Sequence, residues 1–275
     1  SALIYLFLTV SLGITMVIDF LHPFLGDFHD RLFAIHVTFG VLGWFTLLIM
    51  GFSFKLVPMF SLSHNYESKW ASRSIGLLNL GLVCLTFGFL FATPLIKVIG
   101  CVLTPLSLLS YAKQMQLILK NRLRKRLDIG VKTALSAGPF TFIVLILAVV
   151  CALLCHQPFP LSALMYTTIT GWIGVFILGF LFKIVPFLWW TFKYSSQIGH
   201  TSVPSLKDLT NEKRGKIWFV GFYILIFLNA MCLTFHFRTG IQWVQALIFL
   251  NTLLYAMDLV KVITFKPDQP AFTKN

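Results

Sequence analysis

Eight long apolar runs alternate with short polar stretches along this chain, at residues 2–21, 33–60, 72–92, 94–117, 134–155, 161–190, 216–237 and 241–264. A helix needs roughly 20 residues to cross about 30 Å of hydrocarbon, and these runs meet that length. None alternates with period two, so helices rather than barrel strands are expected. The first run lacks a basic leader and reads as a retained helix, not a cleaved signal peptide.

One phrase inside the pattern is written twice. Residues 43–58 read GWFTLLIMGFSFKLVP and residues 171–186 read GWIGVFILGFLFKIVP, nine identities in sixteen positions at an offset of 128. Roughly one identity is expected by chance from ordinary residue usage. Weaker echoes pair CLTFGF at 84–89 with CLTFHF at 232–237, and Tyr111-Ala112 with Tyr255-Ala256. His22-Pro23-Phe24 likewise echoes His156-Gln157-Pro158-Phe159. Repetition at this scale predicts duplicated structure. Helices one to four match five to eight, and an even number per copy makes the copies parallel, related by an axis along the membrane normal. The expected fold is an all-α integral membrane protein whose eight transmembrane helices form two parallel four-helix repeats. Residues 1–120 make the first unit, 121–133 a basic linker and 134–275 the second. In the repeated phrase, Gly43 and Gly51, with Gly40 and Gly76 nearby, are expected to permit close helix contact. Lys55 and Lys183 are expected to snorkel to the headgroups, and Pro58 and Pro186 to end their helices.

Composition removes the soluble alternative. The chain is 57% hydrophobic and 11% charged, with a mean hydropathy of +0.85, whereas a soluble domain carries about 25% charged residues. The net charge of +13 is unevenly placed. Lys113, Lys120, Arg122, Arg124, Lys125, Arg126 and Lys132 fall between runs four and five, and Lys193, Lys207, Lys213, Arg214 and Lys216 between runs six and seven. Lys55, Lys69, Arg73, Lys183, Lys261, Lys266 and Lys274 share that side, and only Arg31, Lys97 and Arg238 lie on the other. This asymmetry predicts cytoplasmic N and C termini in the plasma membrane of a bacterium. It points to anionic lipid heads rather than nucleic acid as the partner of the basic loops.

The five cysteines fall in or near apolar runs with no C-x-x-C pair, so buried apolar packing is the expected role, including for Cys151 and Cys155. No acid pair suits hydrolysis, no Ser, His and Asp are grouped for nucleophilic catalysis, and no Gly-rich loop cradles phosphate. Asp19 and Asp258 are the only carboxylates within or near the runs, and Asp258 can pair with Lys261. Histidine carries more information. His22, His29, His36, His156 and His236 all fall toward the outer side, and His64 and His200 toward the cytoplasmic side. His36 and His236 are expected inside helices, one to two turns from the outer surface, where a neutral imidazole is a ready metal ligand. In the repeat, Leu164 replaces His36 and His236 replaces Gly88, as expected if the halves contribute different sides of one site.

His36-Val-Thr-Phe-Gly-Val-Leu-Gly-Trp44, running on to Gly51-Phe-Ser-Phe-Lys-Leu-Val-Pro-Met-Phe60 and Ser63-His64, resembles the second helix of small bacterial membrane proteins related to subunit I of the haem-copper oxidases. Phe182-Lys-Ile-Val-Pro-Phe-Leu-Trp-Trp190 and Val203-Pro-Ser-Leu-Lys-Asp-Leu209 resemble a sequence of the same family. The resemblance implies two of that family's four-helix arcs and a haem b whose axial ligand is His36. The departures are equally specific. Leu164 to Gly171 lacks the His-Pro-Glu-Val-Tyr motif, no His-His dipeptide occurs, and Thr38 stands where relatives often carry a second histidine. No copper is expected, nor oxygen or nitric-oxide reduction.

The expected function is therefore a membrane b-type haem protein. His36 is the favoured ligand, His236 is next, and His156, His22, Met165 and Met231 stand behind them. Bis-histidine ligation would favour electron transfer from quinol or a partner redox protein, and an open position would favour binding or sensing a diatomic gas. Two rivals remain: a haemless transporter with a polar path of Thr167, Thr168, Asn79, Asn229, Asn251 and Gln245, and an assembly scaffold that forms homo-oligomers through glycine-rich helix faces.

Overall fold

The computed structural model describes residues 1–264 apart from 157, 199, 201 and 202. Lys266, Lys274 and Gln157, named above, lie outside the described residues. Among the described residues, eight helices are long and apolar enough to cross a membrane. They are α1 (Ala2–Leu21), α2 (Phe28–Ser61), α3 (Lys69–Leu90), α4 (Pro94–Lys120), α5 (Ile129–Leu154), α6 (Leu161–Gln197), α7 (Glu212–Thr234) and α8 (Arg238–Ile263). No strand accompanies them in those residues. The chain is an all-helical, multi-pass membrane protein.

The helix ends depart from the apolar runs for local reasons. α2 starts five residues before its run, in the polar segment Phe28 to Leu32. The carboxylate of Asp19, buried at the end of α1, organises this start: Oδ1 accepts from the amides of Phe24 and Leu25, both at 2.8 Å, and Oδ2 meets His29 Nδ1 at 2.7 Å. Pro58 and Pro186 lie inside their helices instead of ending them. A proline forfeits one ladder bond and crowds the carbonyl four residues back, and α2 absorbs this within its last turns. It stops at Leu62, whose left-handed φ of 53° lets the Ser63 amide donate to the Pro58 carbonyl at 3.0 Å. α6 runs on past Pro186 to Gln197.

Two helices widen into π-helical turns, at Phe39–Thr46 in α2 and Thr168–Gly174 in α6. Each turn contains the Gly-Trp pair that opens the repeated phrase. In the first, the Thr46 hydroxyl donates five residues back, to the Val41 carbonyl at 2.8 Å. Such turns leave backbone groups unpaired and concentrate at functional sites.

The chain divides into two compact units, Ser1–Arg126 and Leu127 onward. In the first, α3 and α4 pack closest, with α2 against both and α1 against α2. Glycines permit the α3–α4 approach. A Cβ built on Gly100 would lie 2.9 Å from the Leu85 amide, and one on Gly88 would lie 2.8 Å from the Lys97 amide. Hydrogen bonds hold the rest: Ser53 Oγ to Tyr111 Oη at 2.9 Å, and Ser107 Oγ donating to the Ser74 carbonyl at 2.7 Å. Buried Gln114 accepts from the Ala71 amide and donates to the Glu67 carbonyl. After α4 the basic segment does not run free. The amides of Leu123 and Arg124 donate to the carbonyls of Leu62 and Ser61, both at 3.2 Å.

In the second unit α5, α6 and α7 pack mutually, and α8 packs on α6 and α7. Tyr255 Oη donates to the Leu178 carbonyl at 2.6 Å. Here the repeated glycines separate in role. A Cβ on Gly179 would meet the Ala134 amide at 2.6 Å and the Gly130 carbonyl at 2.7 Å. Its counterpart Gly51, and Gly76 too, would meet nothing within 4 Å among the described residues. The expectation of close contact at Gly51 and Gly76 therefore fails within the first unit. A paired substitution tests this. Gly179→Ala should cost about 2 kcal/mol, because backbone atoms must give way. Gly51→Ala should change stability by less than about 0.5 kcal/mol or raise it slightly through helix propensity. Thermal unfolding of the purified variants reads both.

Candidate functional site

His36 lies in the first third of α2, three residues before its π turn. It is half-buried against α1. Its Nδ1 sits 2.9 Å from the carbonyl oxygen of Thr9. A carbonyl only accepts, so Nδ1 carries the proton, and the neutral ring keeps its lone pair on Nε2. The ring needs room on α1 and finds it at Gly13, where a built Cβ would lie 3.1 Å from the His36 Cε1. Tyr5, further down the same face, stacks at a tilt on Phe39 with ring centres 5.2 Å apart. It also covers Gly43, whose added Cβ would fall 2.6 Å from the Tyr5 ring.

This is the arrangement a metal-ligating histidine uses. One nitrogen donates to a backbone carbonyl, which fixes tautomer and ring orientation, while the other is left for the metal. His36 is also deeper than expected. It lies eight residues after Phe28, about 12 Å at 1.5 Å per residue, because α2 begins earlier than its apolar run.

The other candidate histidines are placed differently. His22 follows α1, thirteen residues beyond Thr9, so it stands about 20 Å along the helix from the partner of His36. The two cannot face one iron. His29 is engaged with Asp19. His236 was expected within a helix, but α7 ends at Thr234. His236 is instead the left-handed residue that stops α7, with φ 55°, exposed to its surroundings. The next amide, of Phe237, donates back to the Cys232 carbonyl at 2.9 Å. The end of α3 is built identically, with Ala92 at φ 51° and the Thr93 amide donating to the Gly88 carbonyl at 3.0 Å. The structural counterpart of His236 is therefore Ala92, one helical turn beyond the Gly88 that the letters align. His156 likewise lies beyond α5, exposed, with φ 53°. Met165 and Met231 are half-buried in α6 and α7.

No group of three or more His, Cys, Asp or Glu side chains is gathered for a metal ion among the described residues. Cavities form at helix ends among the described residues. One lies beside Tyr66, Trp70 and Lys113 in the first unit, and another beside Asn211, Arg214, Asp258 and Lys261 in the second. Neither is lined by histidine. Asp258 is more heavily engaged than its pairing with Lys261 suggested. Its Oδ1 lies 2.9 Å from Arg214 and 3.4 Å from Lys261, and its Oδ2 accepts from Trp218 Nε1 at 2.8 Å. Lys183 does not snorkel. Its ammonium pairs with Asp128 at the head of α5, and both side chains are largely buried. Lys55, its counterpart in the repeat, is exposed.

Sequence pattern alone did not single out Gly13, Thr9 or Asp128. Gly13 and Thr9 look like ordinary helix residues until α1 is laid on α2. The helix-stop role of His236 is directly testable. A non-glycine residue in the left-handed region costs roughly 1 kcal/mol, so His236→Gly should raise stability by about that amount. Differential scanning calorimetry reads it, and a loss of stability would assign the side chain another task. A comparison with known protein families, characterised proteins and solved structures finds no match to this chain.

Proposed function

We propose that this protein is an integral membrane b-type haem protein in which His36 is the axial ligand. The observation that carries the reading is the Thr9 carbonyl on His36 Nδ1, with Gly13 clearing space for the ring. The donor chemistry fits a haem iron, since the Thr9 carbonyl takes Nδ1 and orients the imidazole, leaving Nε2 as the ligand atom. The haem would supply a redox-active iron with a further coordination position. The likeness of the His36 to Phe60 stretch to the second helix of haem-copper oxidase relatives supports the same residue. Within the first unit no second histidine stands across from His36, because His22 is a full half-membrane away and His29 is held by Asp19. That favours an open position and the binding or sensing of a diatomic gas over bis-histidine electron transfer. If electrons are delivered, quinol or a partner redox protein is the donor class.

The frame of this reading is a pair of parallel four-helix repeats in the plasma membrane of a bacterium, with both termini cytoplasmic. In each unit the first helix packs on the second, the second on the third and fourth, and the third on the fourth. The two π turns sit at the spacing of the repeated phrase. Both facts support duplication. The charge asymmetry supports the orientation and anionic lipid as partner of the basic segments. Gly51 and Gly76, open within the first unit, are the faces through which copies of the chain would associate. The rival reading, a haemless transporter, draws on unpartnered Thr167 and Asn229 in the second unit.

The absorption spectrum decides. Protein produced with ample haem and purified in detergent should show a Soret band, α and β bands on reduction, and a shift with carbon monoxide. His36→Ala should lose most of the haem, and Gly13→Leu should lower occupancy by crowding the His36 ring while the ligand residue itself is kept, whereas His22→Ala should leave the spectrum unchanged. Absence of a Soret band from wild-type protein would remove the haem reading. Full haem content in His36→Ala would move the ligand elsewhere.

A further inference from the structure

The second unit holds a set of polar side chains that no other described residue answers. Thr141 lies on α5, Thr167 on α6 and Asn229 on α7, and each of these helices packs on the other two. Their exposures are 6%, 0% and 0%. The hydroxyls of Thr141 and Thr167 and both amide atoms of Asn229 have no hydrogen-bond partner among the described residues. The same residue types elsewhere are satisfied locally. Thr86, Thr170 and Thr234 donate to the carbonyl four residues back, Asn79 donates to the Ile75 carbonyl, and Asn251 reaches the Trp218 carbonyl. In the first unit, buried Thr46, Ser53, Ser61, Ser74, Ser107 and Gln114 are all bonded. Two further unpartnered groups, Trp189 Nε1 and Tyr194 Oη, lie far along α6 among Leu209 and Val262, more than twenty residues from Thr167, so Thr141, Thr167 and Asn229 form a set of their own.

Depth brings them together. Asn229 lies five residues before the end of α7 and Thr167 six residues after the start of α6. Successive helices reverse direction, so both sit about 8–9 Å below the same end of the bundle. Thr141 is one turn deeper along α6, where a Cβ on Gly171 would fall 2.6 Å from its hydroxyl oxygen. The π turn begins at Thr168, immediately after Thr167. Such a turn frees backbone groups, and in membrane helices ordered water is one means of satisfying them. The largely buried Lys183 of α6 is paired with Asp128 and lies sixteen residues, about 24 Å, along the helix from Thr167, so a charged ligand has no counter-charge beside the three. The polar atoms are sealed from the surface, so the occupant is small. An asparagine amide with two hydroxyls supplies the roughly two to four partners that an internal water requires.

We propose that Thr141, Thr167 and Asn229 hold a short enclosed file of water bridging α5, α6 and α7. It is a buried uncharged hydrogen-bonding site, distinct from His36 and independent of whether haem is bound there. The file holds the three helices together where lipid supplies no attraction, and it hydrates the π turn of α6 from inside.

Isosteric apolar substitutions separate a watered site from dry, orphaned groups. Removing a dry unpaired group with an apolar residue of similar shape is neutral or stabilising, whereas removing one that holds water breaks bonds. In full-length protein in lipid nanodiscs, Asn229→Leu and Thr167→Val should each lower Tm by about 2–6 °C. The double variant should fall by less than the sum, because both lose the same water. Single variants with unchanged or raised Tm, or a strictly additive double, overturn the proposal. A wild-type measurement covers the case in which a variant does not fold. Radiolytic hydroxyl labelling read by mass spectrometry should oxidise Ile226, 3% exposed and one turn from Asn229, well above Leu82 in α3, which is 0% exposed. Equal, background labelling at both residues overturns the proposal.

Discussion

Lipid gives an apolar helix no reason to prefer another helix over an acyl chain, so cohesion inside each unit rests on steric fit and hydrogen bonds. The architecture follows from that constraint. α3 and α4 approach closely because Gly88 and Gly100 carry no side chain where Lys97 and Leu85 pass. α5 lies against α6 because Gly130 and Gly179 meet backbone to backbone. Where side chains intervene, they bring polar atoms that find partners on the next helix, as Ser53 does with Tyr111 and Tyr255 with the Leu178 carbonyl.

The same constraint shapes the candidate ligand. A histidine in hydrocarbon must be satisfied, and His36 is satisfied by a carbonyl of α1 that its own helix ladder does not own. The contact therefore does two jobs. It is one of the few polar links holding α1, a helix with little buried surface, to α2, and it sets the protonation pattern of the imidazole. Removing the ring would loosen a helix as well as remove the proposed ligand, which is why Gly13→Leu and His36→Ala complement each other as probes.

Much of the fold was legible in the chain because apolar length is a direct physical requirement of a bilayer. All eight helices lie where the runs place them, with ends displaced by polar features: Asp19 capturing the Phe24 and Leu25 amides, and Asp128 preceding α5. Pro58 and Pro186 misled because a proline costs one ladder bond, not a helix. His236 misled in two ways. Its letters align with Gly88, yet its backbone plays the part of Ala92, since a matching hexapeptide does not fix where a helix stops. Of the candidate site, the pattern carried His36 and no more. Its partners are a backbone oxygen and a missing side chain, and neither has a signature in a sequence. Nor can a sequence show that Asn229 lacks a partner while Asn79 and Asn251 have theirs.

The two lysines of the repeated phrase have taken different fates, with a mechanical consequence. Lys183 is paired with Asp128 and is committed to its own bundle. Lys55, exposed, can extend its ammonium toward whichever plane of phosphates lies nearest. When a bilayer thins or thickens, a helix with a snorkelling lysine can keep its charge wetted by bending the side chain, whereas one with a sequestered pair must tilt or deform the lipid. A repeated lysine is thus a free anchor in the first unit and an internal strut in the second.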